Sequence, residues 1–198
     1  MSDHSGAGNV HTRRIAEFVS TLSYERIPAQ VIERIKLLIL DSLGCAIYGA
    51  QLEWCRIVRS TLESLDATRT TSVWGTPLRL SSPHAALING TQVQGFELDD
   101  VHRRGVLHVG AVTLPALIAV AESHADLSGR EFLTAAVAGY EIGPRVGRCM
   151  GQELSARAGI PARPWACTRP PPGPPVGCAC PPMRPCMRSG SQAPNPPG

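Results

Sequence analysis

The chain has 198 residues, 43% of them hydrophobic, which is enough for one domain with its own core. A net charge of +3, with the basic residues scattered, excludes a nucleic-acid-binding stripe, and no apolar run reaches the roughly 18 residues of a membrane span. Residues 1–11 hold no apolar h-region, so the expected protein is cytoplasmic, with neither nucleic acid nor membrane among its partners.

Residues 1–10 are polar and Gly-rich and are expected to be disordered. Thr12 to Leu22 then carries Ile15, Phe18, Val19 and Leu22 at helical spacing. Pro28 sits where a first helical turn tolerates proline. Val31, Ile32, Ile35, Leu38 and Ile39 follow on one face of a helix that reaches about Tyr48 and stops at Gly49. Trp54 to Leu65 predicts a shorter helix. Thr71, Val73 and Trp74 favour strands, and Gly75-Thr76-Pro77 is a turn, so a small hairpin is expected across 70–80.

Ser82 as N-cap and Pro83 at the first position open the next helix, which runs through Ala86, Leu87, Val93 and Phe96 towards Asp100. Gly90 and Gly95 weaken it by about 1 kcal/mol each relative to Ala, a cost that close helix packing can offset. Gly110 to His124 is apolar nearly all round and predicts a buried central helix, kinked at Pro115 or with Pro115 in its first turn. Ser128 and Glu131 form a capping box, and the helix behind them carries Phe132, Leu133, Val137, Tyr140 and Ile142. The predicted fold class is all-α: a multi-helix bundle over residues 11–158 with one small β-hairpin.

Residues 159–198 read differently. They contain no Asp, Glu or Lys and hold Pro170-Pro171-Pro172 and Pro174-Pro175. Such a stretch cannot bury a face and is expected to be disordered. Trp165, Met183, Met187 and four cysteines are odd company for a natural linker. A change of reading frame near Gly159 accounts for the composition. The body prefers Arg and has a single lysine, Lys36, which suggests GC-rich codons. Read from the third base of the Gly159 codon, the tail can become Ala-rich and helix-favouring, opening on a histidine followed by proline. The alternative is a non-catalytic helical interaction protein whose Pro-rich tail recruits an SH3- or WW-like partner. Cys178-Ala-Cys180 lacks a second half at zinc-ligand spacing, so no metal is expected there. Cys45, Cys55 and Cys149 lie in helical patterns, where a buried thiol acts as a small apolar group.

The densest polar cluster is Glu97-Leu98-Asp99-Asp100-Val101-His102-Arg103-Arg104, followed by His108. It falls between two apolar helices and predicts a loop at one end of the bundle. Three carboxylates within four residues repel one another, which raises the pKa of at least one of them when partly buried. Removing a proton beside a carboxylate needs such a set: a poised base, a general acid and cations for the substrate's charge. A solvated loop or a helix cap would carry the same residues. His108 is more informative than His102, because it immediately precedes the apolar run from Val109. His84 and His124 read as ordinary helix residues. Phosphate-binding, nucleophile-elbow and H-E-x-x-H motifs are absent.

At this cluster the sequence resembles a known family. Asn89-Gly90-Thr91, Gly95 to His102, Leu107 to Val112 and Leu114-Pro115-Ala116 resemble the MmgE/PrpD family. So do Leu40 to Cys45, Val73-Trp74-Gly75, Gly139 to Gly143 and Arg145-Val146-Gly147. The resemblance implies a cofactor-independent lyase or isomerase acting on a small di- or tricarboxylate, 2-methylcitrate dehydratase-like or cis-aconitate decarboxylase-like. It implies no metal or iron–sulfur cluster and a homodimer with a large helical domain. By resemblance, Asp100 and His108 fall on active-site positions, and Glu97, Asp99, Val101 and His102 are expected around the substrate. Glu97 stands where many members have Asp and Val101 where many have Thr, which leaves the substrate open. A second family histidine begins a His-Pro pair; here Ile160-Pro161 occupies that place, where the other frame restores it. The family's catalytic lysines lie further on. The chain as written is therefore expected to be a truncated, inactive member.

Overall fold

The computed structural model describes residues 10–124 and 126–157. The expected disordered start falls almost wholly outside them. So does the Pro-rich tail, with the frame change, the cysteine pair and the partner motif placed there. Among the described residues there are six helices, α1 (Val10–Thr21), α2 (Ala29–Gly49), α3 (Glu53–Leu65), α4 (Ser82–Gln94), α5 (Val109–Glu122) and α6 (Gly129–Arg157). One antiparallel pair, β1 (Thr71–Ser72) and β2 (Arg79–Leu80), joins α3 to α4 with Thr71 opposite Leu80. The architecture is all-α with a small hairpin, as the hydrophobic periods predict.

Three apolar clusters hold it together. The largest gathers Ile27, Val31, Ile32 and Ile35 of α2 and its approach, Val109 and Leu114 of α5, and Ala136, Val137 and Tyr140 of α6. Leu62, Val73, Leu80, Ala85 and Ile88 clamp the hairpin between α3 and α4. Cys45, Ala46, Val93 and Ala111 join α2, α4 and α5. Ile35, Ile88 and Leu114 are fully buried, each worth about 1.5–3 kcal/mol against exposure. Polar side chains fasten the hairpin: Asn89 Oδ1 accepts from the Trp74 amide at 2.9 Å, and its Nδ2 donates to the Ser72 carbonyl at 3.0 Å.

Glycines set the helix spacing. A Cβ on Gly49 would lie 1.9 Å from the Gln92 carbonyl oxygen, so α2 and α4 touch backbone to backbone. On α4, a Cβ on Gly90 would lie 2.8 Å from the Ala111 oxygen. Pro115 lies inside α5 and has no amide hydrogen to offer Ala111 four residues earlier, so this freed carbonyl is the one that meets Gly90.

Four expectations need correction. The helix expected to run through Phe96 towards Asp100 ends at Gln94, with Gly95 as its C-cap. The N-cap of α4 is Ser81, with Ser82 as the first helical residue. The reason lies 15 residues upstream: Asp66 Oδ2 accepts from the Ser81 amide at 2.8 Å and from its hydroxyl at 2.5 Å, fixing Ser81 ahead of the helix. The central helix α5 is not buried all round, since Val112 and Val120 are exposed. Cys45 and Cys55 are buried, but Cys149 is exposed. An apolar stripe also lies open along α2, made of Leu37, Leu40, Ile47 and Tyr48. The capping box forms as predicted, with the Ser128 amide and hydroxyl donating to Glu131 Oε2 at 2.8 and 2.7 Å. No single helix among the described residues is long and apolar enough to cross a membrane.

Candidate active site

The polar cluster occupies the connection between α4 and α5. Gly95 ends α4, and Glu97 then takes a left-handed conformation with φ of 60°. Further on, His102 and Leu107 pair as an isolated antiparallel bridge, the His102 amide donating to the Leu107 carbonyl at 2.8 Å. His102 Nδ1 accepts from the Gly105 amide at 3.0 Å, so this ring shapes its own turn. Val106 has φ of 47°, an outlier for a β-branched residue. Two non-glycine residues with positive φ in one short connection hold strain of about 1–3 kcal/mol each, which the surrounding contacts must outweigh.

That backbone brings His108 between two carboxylates. Its Nδ1 lies 3.1 Å from Asp99 Oδ1, and its Nε2 lies 3.5 Å from Glu97 Oε2. The Asp99 side chain is fully buried, whereas that of Glu97 is 72% exposed. One edge of the imidazole is thus anchored inside the protein and the other faces the open side. Asp100 turns the opposite way, and its Oδ1 accepts from the Gly110 amide at 2.8 Å in the first turn of α5. Unpaired amides and the helix dipole favour an anion there. Of the predicted site residues, the structure gathers His108, Asp99 and Glu97 into one contact set and uses Asp100 to cap α5. Val101 is exposed, and His102 is bound into its turn.

Behind Asp100 lies a polar space that sequence reasoning missed. A Cβ on Gly110 would meet Ser42 Oγ at 2.3 Å, Tyr140 Oη at 2.8 Å and Asp100 Oδ1 at 3.2 Å. Ser42 and Tyr140 are buried, and neither hydroxyl completes a hydrogen bond of good geometry, although the phenol sits beside both Asp100 and Ser42. The signal was a serine on the otherwise apolar inner face of α2. Among the described residues, no group of three His, Cys, Asp or Glu is arranged to hold a metal ion.

Two buried carboxylates respond to these settings in opposite senses. Burial pushes the Asp99 carboxyl up, against the pull of His108, and its Oδ2 has no partner. Asp66 is held well below the usual carboxylate range, first by the Ser81 hydroxyl and amide, then by His84 and the Thr68 amide. Its folded pKa is depressed, so its stabilisation is present above the unfolded value of about 4 and is lost as pH falls further. The raised Asp99 does the reverse: it costs nothing below about pH 4, and the penalty grows as pH rises through its folded pKa. Thermal melts from pH 3 to 8 check this. Asp66→Asn is expected to lower Tm at pH 7 and to converge on the parent in acid. Asp99→Asn is expected to match or exceed the parent at pH 7, by about 2–4 °C, and to converge with it in acid.

Residues 13–159 match the MmgE/PrpD N-terminal domain. The chain is 37% identical to the cis-aconitate decarboxylase-like protein oryM of Aspergillus oryzae over 79% of its own length and 34% of the relative's. It is 36% identical to the cis-aconitate decarboxylase of Aspergillus terreus over 78% of its length and 32% of the relative's. With the Homo sapiens cis-aconitate decarboxylase the identity is 31%, over 68% of this chain and 29% of that one. The chain thus spans about a third of the length of the curated relatives it matches. With residues 13–159 of its 198 inside that domain, the chain belongs to the MmgE/PrpD family.

Proposed function

We propose that residues 97–108 supply the proton-transfer part of a lyase site for small tricarboxylates, with cis-aconitate decarboxylation ahead of 2-methylcitrate dehydration. The observation that carries this is His108 held at Nδ1 by the buried Asp99, with Nε2 directed to the exposed Glu97. With Asp99 ionised, Nδ1 carries the hydrogen of that bond, and Nε2 is the atom left to take or deliver a proton. Losing carbon dioxide leaves electrons on carbon that a proton must meet, and losing water begins with removing a proton beside a carboxylate. Either step needs one positioned proton carrier at the open side, a role the imidazole Nε2 can fill. The relatives' names favour the decarboxylase. Asp99 orients the ring, and Glu97 stands where the substrate would enter.

The chain spans about a third of its relatives' length, so it is expected to turn over neither compound alone. A homodimer of the intact protein is supported by the open apolar stripe of α2. The test is a graft. Residues 13–159 replace the matching segment of the Aspergillus terreus relative, and carbon dioxide release from cis-aconitate is measured. The graft is expected to be active and the 198-residue chain inactive. A graft that folds like its parent but consumes neither cis-aconitate nor 2-methylcitrate would sink the reading, and turnover by the chain alone would sink its inactivity.

A further inference from the structure

We propose that Tyr140, seconded by Ser42, is a positioning residue that sets the Asp99–His108 pair through Asp100. This rests on the reading of His108 above. Three places far apart in sequence meet at the Cα of Gly110: Ser42 from α2, Tyr140 from α6 and Asp100 from the loop. Both hydroxyls are buried and lack a completed bond, a state they share with Asp99 Oδ2 and Gln92 Oε1. A buried hydroxyl left without a partner is costly, so its neighbours must give it one. The acceptor beside Tyr140 is the Asp100 carboxylate. Burial first, and then this neighbouring charge, push the phenol above its ordinary range, so the ring oxygen keeps its hydrogen and can only share it.

The geometry makes that hydrogen consequential. Asp100 adjoins Asp99 in the chain, and the amide it caps, that of Gly110, lies two residues beyond His108. Asp100 on Gly110 therefore ties the middle of the loop to the first turn of α5, next to Asp99 on one side of the tie and two residues from His108 on the other. A phenol donating to Asp100 fixes this tie against α6, and Ser42 closes the space from α2. If the tie loosens, Asp99 and His108 move independently and the 3.1 Å contact becomes one of several.

The test reads the histidine ring rather than activity. Long-range proton–nitrogen NMR of the full 198-residue chain reports which nitrogen of His108 carries the hydrogen. The wild type is expected to favour Nδ1–H. Tyr140→Phe, which removes one oxygen and keeps the ring, is expected to preserve the helical circular-dichroism spectrum while shifting the tautomer ratio by about threefold or more. Asp100→Asn weakens the acceptor and is expected to shift it in the same direction. Unchanged ratios in both variants would overturn the proposal. So would an unfolded Tyr140→Phe, which would make the hydroxyl a determinant of the fold. A wild-type ring without the Nδ1–H preference would sink the His108 reading itself. An inactive graft beside a responsive ring would sink the catalytic reading and leave this one standing.

Discussion

Gly49→Ala is expected to destabilise the protein by about 3 kcal/mol or more, the upper end of overpacking costs. The added Cβ would stand 1.9 Å from the Gln92 carbonyl oxygen, 2.7 Å from its carbon and 3.0 Å from its Cα. All three atoms belong to the backbone of α4, so no rotamer change relieves them. The whole helix has to move, and it carries Asn89 against the hairpin and Val93 against Cys45 and Ala46. Gly44→Ala, in the same helix, is the control. Nothing lies within 4 Å of its added Cβ, so the helix propensity of alanine should show as a gain of about 0.5–1 kcal/mol. Urea titrations of the three proteins give both numbers. A Gly49 variant within about 1 kcal/mol of the parent would mean that the crossing of α2 and α4 is looser than described.

His108→Ala in the active graft is expected to lower kcat by about a hundred- to ten-thousandfold, the range of a single general acid or base. KM should change little, because the ring nitrogen at issue moves a proton and does not hold a carboxylate. Asp99→Asn should cost less, since an amide oxygen still accepts from Nδ1 while the charge that favours this tautomer is gone. A rise in KM at constant kcat would make His108 a substrate-holding residue instead. Steady-state rates on cis-aconitate decide between the two.

The helices were legible because their inner faces repeat at 3.6 residues, as Val31, Ile32, Ile35, Leu38 and Ile39 show. What failed to show was what distant residues impose. Ser81 caps α4 because Asp66, on the far side of the hairpin, holds it. Val112 and Val120 are apolar yet exposed, and periodicity cannot tell a core face from an uncovered one. In the site, His108 stood out by its place before an apolar run. Which of two adjacent carboxylates it would meet did not. Neighbouring side chains in an irregular loop diverge according to φ, and the positive φ of Glu97 carries no sequence mark of the kind a glycine gives. Ser42 and Tyr140 lay within motifs of the family resemblance, but their shared space exists only once α2, α5 and α6 are packed.

The glycine at the start of α5 has a consequence for descent. Its missing side chain is the room in which the hydroxyl of Ser42, the phenol of Tyr140 and the carboxylate of Asp100 meet. A lineage that acquires even a methyl group at position 110 must surrender one of those oxygens or open the bundle. Positions 42, 100, 110 and 140 should therefore drift as a linked set, with substitutions arriving in pairs. The residues lining that room are free to change only together.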